Sequence, residues 1–176
     1  ILRSTVKVGT SRNVVKPILD KSGKSYNLAM CPERTLEGNA IKELRELPQI
    51  IGADDERTRA IVRKFFNLFT DTIVNVSSLE AAELIKLTDN TFRDVQFAFA
   101  NEIARACDCF QVNAFEVIQS SKLGYPRTNV ALPGLVGGPC LEKDPHIFSE
   151  SLAPFKKTRK ANLLNTDRIP EFWINK

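Results

Sequence analysis

The sequence predicts an α/β unit at its amino end, followed by a mainly α-helical domain that is built on one long helix. Short apolar runs alternate with helical stretches up to residue 76, which is the element order of an α/β unit. The stretch from about Leu79 to Phe110 contains neither proline nor glycine, and its apolar residues recur at helical spacing. The helical segments after it are joined by a loop that is rich in glycine and proline.

Local signals define the elements of the α/β unit. Asp54, Asp55 and Glu56 suit the amino end of a helix, because acidic side chains interact favourably with the helix dipole. The predicted elements are the end of a strand at 1–2, a helix over 11–20, a strand over 26–30, a short helix over 41–47, a strand over 49–52, a helix ending near 69, and a strand over 72–76.

The helical part begins at Ser77 or Ser78, either of which can cap the long helix. A second helix over about 114–120 follows a short break. The glycine- and proline-rich loop then runs from about 122 to 139. The pattern predicts that another helix starts at Asp144 and continues to about 152, with an extension over 156–165.

Composition and charge exclude several classes of function. The net charge is +4, and the basic residues are spread along the chain, so we expect no nucleic-acid partner. No apolar run reaches the roughly 18 residues needed to cross a bilayer, and no secretory signal is visible. We therefore expect no membrane partner and a cytoplasmic location. The four cysteines and one histidine do not have the spacing of a zinc site, so no metal is expected.

The segment Gly-Gly-Pro-Cys-Leu-Glu-Lys-Asp at 137–144 carries the strongest chemical signal. Its two glycines allow a backbone to approach a ligand closely. Cys140 directly precedes the predicted helix, where the helix dipole and Lys143 favour a thiolate. Asp144 lies one helical turn further on. The functional interpretation is an activated thiolate with an acid–base partner, and the structural alternative is a buried cysteine after a turn.

Polar residues also recur on one face of the long helix. Lys86, Asn90, Arg93 and Phe97 lie at positions i, i+4, i+7 and i+11, which share a face. This stripe either faces a pocket and donates hydrogen bonds to an oxyanion, or consists of ordinary surface residues.

Two glutamates, Glu33 and Glu37, lie on a loop that follows a predicted strand. Loops after strand ends are where α/β proteins place functional residues. The alternative is that both carboxylates are simply solvated.

Four separated segments resemble the UDP-glucose/GDP-mannose dehydrogenase family. The first is Arg-Ser-Thr-Val-Lys-Val-Gly-Thr at 3–10, with Lys7 where the family usually has proline. The others are Cys-Pro-Glu-Arg followed by Glu-Gly within 31–38, the helix segment 83–95, and Gly-Gly-x-Cys-x-x-Lys-Asp at 137–144. All four occur in the family's order and with approximately its spacing.

The resemblance implies an enzyme that oxidises the C6 alcohol of a UDP-sugar to a carboxylate and uses two NAD per turnover. It implies that Cys140 is the nucleophile and forms a thiohemiacetal and then a thioester. Lys86 and Asn90 match residues that stabilise the oxyanion and position water. Asp144 matches a carboxylate of the same water network, and Glu33 matches the glutamate tied to thioester hydrolysis.

The resemblance also assigns residues to ligands. The positions that match the NAD site are Ser4, Thr5, Val6, Glu37 and Lys143. The positions that match the UDP-sugar site are Glu33, Arg34, Leu36, Glu37, Lys86, Asn90, Arg127 and Gly137. The loop over 131–137 matches the substrate-holding loop. Arg127 matches an arginine that reaches the sugar bound in the neighbouring subunit, which implies a homodimer through the long helix.

The same resemblance predicts the domain organisation. Residues 1–76 match the C-terminal part of a Rossmann-like NAD-binding domain, 77–165 match a central helical domain for dimerisation and catalysis, and 166–176 match the start of a linker to a missing UDP-binding domain. The G-x-G-x-x-G loop that holds the pyrophosphate in this fold does not occur in the sequence. We therefore expect that the isolated chain neither binds NAD tightly nor turns over.

The sequence leaves the sugar and one rival function open. The segments 31–34 and 90–94 resemble the branch that oxidises UDP-N-acetylhexosamines, such as the UDP-N-acetyl-D-mannosamine dehydrogenases. Lys143 is more typical of the UDP-glucose branch. A non-catalytic dimerisation fragment is an alternative, although a scaffold has no need for this polar set. A β-hydroxyacid dehydrogenase is a further one, although a single hydride transfer has no use for a nucleophilic thiol.

Overall fold

The computed structural model describes residues 1–36 and 38–152. The described residues form two compact units that divide between Thr88 and Asp89. The helices are α1 (Lys16–Asp20), α2 (Ala40–Glu46), α3 (Glu56–Phe66), α4 (Leu79–Phe110), α5 (Ala114–Lys122) and α6 (Pro139–Leu152), and the strands are β1 (Ala29–Met30), β2 (Gln49–Ala53) and β3 (Ile73–Val76). Glu37, the predicted helix over 156–165 and the predicted linker over 166–176 lie outside the described residues.

The first unit contains a three-stranded sheet in the order β1-β2-β3. Strands β2 and β3 are parallel, and β1 is antiparallel to β2. Leu2 forms an additional parallel bridge with Met30. Because the two segments that contain these residues run in the same direction, both leave the sheet at the same edge. The residues that follow them, from Arg3 and from Cys31, therefore lie side by side there.

The core of the first unit lies on both faces of the sheet. All five residues of β2 are buried. Ile51 packs with residues of β1 and α3, and Ile50 packs with Leu79 and Ala82 of α4, as expected from the alternation of side chains along a strand. A Cβ atom at Gly52 would lie 2.4 Å from a backbone oxygen before α4, so this position has room only for glycine.

The second unit is helical. It contains the larger part of α4, all of α5 and α6, and the loop over 123–138. The Asn113 side chain caps α5 by accepting hydrogen bonds from the amides of Phe115 and Glu116. The order of an α/β unit and a helical domain confirms the predicted fold class. No helix of the described residues is long and apolar enough to span a membrane.

The predicted ends of α4 are confirmed at Leu79 and Phe110. The prediction for α6 is wrong, because this helix begins at Pro139 rather than at Asp144. A proline is favoured in the first turn of a helix, where no N–H is needed. Both Pro139 and Pro145 satisfy that rule, and the structure uses the first and includes Pro145 in the helix.

The helix predicted over 11–20 is a π-helical segment (Ser11–Val15) followed by α1. Strand β1 and helix α3 also differ from the predicted ranges. Strand β1 covers two residues instead of five, because only Ala29 and Met30 pair with β2. Helix α3 ends at Phe66 rather than near residue 69. The amides of Phe69 and Thr70 both donate to the Phe66 carbonyl, so a turn ends the helix there.

Candidate functional site

A buried carboxylate lies at the centre of the polar contacts in the second unit. Asp144 of α6 is 0% exposed. One of its oxygens accepts a hydrogen bond of 2.5 Å from the side-chain amide of Asn90, which is itself buried in α4. The other oxygen accepts a hydrogen bond of 2.6 Å from the Lys143 ammonium. The structure therefore brings together Asn90, Lys143 and Asp144, although Asn90 and Asp144 are 54 residues apart in the sequence.

Cys140 lies in the first turn of α6, four residues before Asp144. Its thiol is free and exposed. Gly138 sets the start of this helix, because its φ of 97° is a conformation that side chains disfavour and its carbonyl accepts from the amide of Glu142. The result is a solvent-accessible thiol one helical turn from a buried and doubly hydrogen-bonded carboxylate.

A second acidic residue lies on α4 one turn after Asn90. Asp94 is partly buried. Burial raises the pKa of Asp94 above its ordinary value, and the nearby imidazole of His146 offsets part of that effect. No role for Asp94 is predicted from the sequence, because a single carboxylate in a helical pattern carries no signal for burial.

The loop over 123–138 is attached to α4 by side-chain amides. Asn101 exchanges two hydrogen bonds with the backbone of Gly134: its Nδ2 donates to the carbonyl at 3.0 Å, and its Oδ1 accepts from the amide at 2.8 Å. The guanidinium of Arg127 stacks on the ring of Tyr125, 4.5 Å from its centroid. Arg127 also lines an open groove of about 580 Å³ between apolar side chains of α4 and α5. Gly137 is exposed.

In the first unit, Glu33 is held by a dense set of donors. The Arg3 guanidinium pairs with one oxygen of Glu33. The backbone amides of Arg34 and Thr35 donate to the other oxygen at 2.8 and 2.9 Å. Burial acts to raise the pKa of Glu33, but the hydrogen bonds from Arg3 and Thr35 outweigh it and hold the pKa below its ordinary value.

The segment after Arg3 is divided between surface and core. Ser4 is exposed and Thr5 is partly exposed, so both hydroxyls are open to a ligand. Val6 packs against the cluster around Ile50 and Leu79. Leu36, at the same edge of the sheet, is exposed.

Glu83 is a residue whose role the sequence did not reveal. It is 1% exposed, and its two oxygens accept three hydrogen bonds. Gly9 N–H donates at 2.6 Å, and Ser11 donates from its amide at 2.8 Å and from its hydroxyl at 2.6 Å. This carboxylate fixes the end of the segment that contains Ser4 and Thr5. Lys86, three residues later, is partly buried within the first unit.

Comparison with known families identifies both parts of the chain. Residues 1–70 match the sequence model of the NAD-binding domain of the UDP-glucose/GDP-mannose dehydrogenase family. Residues 80–166 match the model of the central domain of the same family. The chain belongs to the UDP-glucose/GDP-mannose dehydrogenase family.

Relatives within this dehydrogenase family align along the whole chain. A UDP-N-acetyl-D-mannosamine dehydrogenase from Methanocaldococcus jannaschii is 36% identical over 177 residues, which cover 100% of this chain and 40% of that protein. A UDP-N-acetyl-D-mannosamine dehydrogenase from Campylobacter jejuni is 33% identical and is covered to 46%. The chain thus spans about two fifths of the length of the relatives it matches.

Solved structures of the family show the same fold. A UDP-D-ManNAc dehydrogenase from Pyrococcus horikoshii superposes with a TM-score of 0.80 at 31% identity, covering 97% of this chain and 40% of that one. A UDP-glucose dehydrogenase from Pyrobaculum islandicum gives a TM-score of 0.79 at 26% identity, with coverages of 88% and 37%.

Proposed function

We propose that this dehydrogenase chain carries the catalytic thiol of a nucleotide-sugar 6-dehydrogenase. The proposed reaction is the NAD-dependent four-electron oxidation of the C6 alcohol of a UDP-sugar, a UDP-N-acetylhexosamine, to the uronic acid. The observation that carries the proposal is the exposed thiol of Cys140 one helical turn from Asp144, which Asn90 and Lys143 hold in place. The names of the relatives support the choice of an acetamido sugar.

Cys140 supplies the covalent step. Its sulfur adds to the C6 aldehyde, so that one C–S bond forms and the carbonyl oxygen becomes that of a thiohemiacetal. Oxidation of this adduct gives a thioester, and water then releases the uronic acid and regenerates the thiol. NAD, when bound, accepts one hydride in each of the two oxidations. Exposure of the thiol is what this role requires, because a buried cysteine could not reach the sugar.

Asn90 and Asp144 are proposed to position the water that attacks the thioester. The amide of Asn90 uses one N–H to hold Asp144. Its carbonyl oxygen remains to accept a hydrogen bond from water, and its second N–H remains to donate to water or to an oxyanion. Lys86 is proposed to supply positive charge where the oxyanion develops. The low pKa of Glu33 makes it a weak base at neutral pH. We therefore assign Glu33 to thioester hydrolysis as a fixed hydrogen-bond acceptor.

The residues of the first unit fit one end of NAD. The open hydroxyls of Ser4 and Thr5 lie at the carboxyl edge of the parallel pair, where α/β folds bind dinucleotides. The Arg3 charge is already neutralised by Glu33, and the chain contains no G-x-G-x-x-G loop for the pyrophosphate. We propose that Ser4, Thr5 and the backbone at Val6 contact NAD.

Lys143 and Glu37, the other two NAD positions, remain assigned by resemblance, as do the UDP-sugar contacts at Arg34, Leu36, Arg127 and Gly137. We propose that the active protein is a homodimer through α4. The exposed rings of Phe92 and Phe99 on this helix, which are 59% and 47% accessible, support it, since large exposed apolar side chains favour association.

We further propose that the isolated chain is inactive and that the protein is cytoplasmic. The sequence lacks the G-x-G-x-x-G loop that holds the pyrophosphate of NAD in this fold, so we expect turnover to need that element. Its cysteines are free, which suits a reducing compartment.

The test is a chimera in which this chain replaces the matching segment of the Methanocaldococcus jannaschii relative. NADH formation is measured with UDP-N-acetylmannosamine, UDP-N-acetylglucosamine and UDP-glucose. We expect the highest kcat/KM with an N-acetylhexosamine, and a loss of about a thousandfold or more in Cys140→Ala. Cys109→Ala is the matched control, since Cys109 is also free and exposed.

Full activity of the Cys140→Ala chimera would refute the proposed mechanism. A preference for UDP-glucose would refute the sugar assignment and leave the covalent mechanism in place. Measurable NADH formation by the 176-residue chain alone would refute the proposal that it is inactive.

A further inference from the structure

The loop between α5 and α6 leads directly to Cys140, yet few hydrogen bonds hold it. Within the described part of the chain, the hydrogen bonds that tie residues 130–137 to the rest are the two between Asn101 and Gly134. On the amino side, Gln96 donates a longer bond of 3.5 Å to the Asn129 carbonyl. The large apolar side chains of Leu132 and Leu135 are exposed, so burial of these two does not fix the loop.

The contact at Gly134 has a specific geometry. One side-chain amide pairs with one peptide unit, donating to its carbonyl and accepting from its N–H. Asparagine and glutamine are the side chains that carry a donor and an acceptor side by side in this way. Aspartate could accept from the N–H but would place a second oxygen against the carbonyl. The pairing therefore depends on the identity of residue 101.

We propose that Asn101 is a positioning residue for the substrate, acting through Gly134 to hold the loop over 131–137 in its binding conformation. This inference rests on the proposed function, and on the family resemblance by which the loop over 131–137 holds the UDP-sugar. Asn101 lies in α4, a rigid helix, and it fixes the middle of a loop that would otherwise have to be ordered when the sugar binds. Ordering a loop during binding weakens affinity, and ordering it beforehand removes that loss.

The first measurement is amide hydrogen exchange at Gly134 in the 176-residue chain. Asn101→Ala removes both hydrogen bonds, and we expect exchange at Gly134 to become roughly tenfold faster. Glu102→Ala is the matched control on the same helix, because Glu102 pairs with Arg105 at the surface and does not contact the loop. Gly134→Ala is a second control for the exchange measurement only, because residue 134 belongs to the loop proposed to hold the sugar. Nothing lies within 4 Å of an added Cβ atom there, so the pairing of the backbone with Asn101 is preserved.

The second measurement is steady-state kinetics of the chimera described above. If the loop must be ordered when the sugar binds, Asn101→Ala raises KM for the UDP-sugar by about the same factor as it accelerates exchange at Gly134, with kcat changed less than KM. A purely structural role would lower the amount of active enzyme and would leave KM unchanged. The Glu102→Ala control is expected to keep the parent KM.

Each result decides the proposal. Unchanged exchange at Gly134 in Asn101→Ala overturns it, as does faster exchange with an unchanged KM. Matching increases in exchange and KM support it. A parent chimera without activity towards any UDP-sugar would refute the proposed function, and the exchange at Gly134 would still decide whether Asn101 holds the loop.

Discussion

Replacement of Glu83 by glutamine tests whether one buried carboxylate fixes the segment that precedes α1. The two oxygens of Glu83 accept hydrogen bonds from the amides of Gly9 and Ser11 and from the Ser11 hydroxyl. Glutamine has almost the same shape, but one of its two terminal groups is a donor. If its oxygen faces Ser11, its NH₂ group faces the N–H of Gly9, and two donors then oppose each other.

The expected loss of stability follows from these contacts. A hydrogen bond to a charged group contributes about 1.5–3 kcal/mol, and a buried donor without an acceptor costs about 1–3 kcal/mol. Gly9 is buried, so its amide has no water to replace the lost oxygen. Since the two figures partly describe the same loss, we expect Glu83→Gln to lower the free energy of unfolding by about 2–4 kcal/mol.

The assay is urea denaturation followed by circular dichroism, combined with amide exchange at Gly9 and Ser11. The matched control is Glu102→Gln, which alters a surface ion pair that is worth about 0–1 kcal/mol. A Glu83→Gln protein within about 0.5 kcal/mol of the parent would refute the reasoning, as would unchanged exchange at both amides.

Three other predictions concern reactivity, pH and packing. Iodoacetamide modifies Cys140 in the folded chain and spares Cys31, which is buried and whose pKa burial raises to about 12; peptide mass spectrometry that finds equal labelling would contradict this. Hydrogen bonds from Arg12 lower the pKa of Glu80 from its ordinary value of 4.5 to about 2. The ion pair therefore stabilises the fold fully above pH 4.5, and this stabilisation is lost as the pH falls toward 2. Allowing for solvent screening, we expect the free energy of unfolding of Glu80→Gln, measured by urea titration, to fall by about 1–2 kcal/mol less over this pH range than that of the parent. The same loss of stability in acid in both proteins would contradict a stabilising ion pair. Gly52→Ala lowers the free energy of unfolding by roughly 2 kcal/mol or more, because its Cβ atom would lie 2.4 Å from a backbone oxygen; a neutral result in thermal denaturation would contradict the packing.

The fold was predictable where the signal is local. Helix α4 has the predicted ends because a long stretch without proline or glycine, with apolar residues at helical spacing, has few alternatives. Strand β2 was found for a similar reason, since a short apolar run between turn signals favours a buried strand. The start of α6 was misplaced because two prolines within seven positions each mark a favourable first turn.

The sequence singles out residues of the candidate site but does not reveal their contacts. Asn90 and Asp144 were both singled out, yet nothing in the sequence shows that one holds the other across 54 positions. The hydrogen bonds of Glu83 to Gly9 and Ser11 span 74 and 72 positions. Residue patterns report periodicity within an element, and such pairings depend on tertiary packing, so they lie beyond what one sequence reveals.

In each of the two units, a polar residue of α4 fixes a segment that carries proposed chemistry. In the first unit, Glu83 holds the backbone that follows Ser4 and Thr5. In the second, Asn90 holds Asp144, and Asn101 holds the loop before Cys140. A buried polar side chain is stable only when its hydrogen bonds are satisfied, so Glu83 and Asn90, which are buried, each specify one position of the partner segment. These three polar residues of α4 are therefore explained by the segments that they hold rather than by solvation.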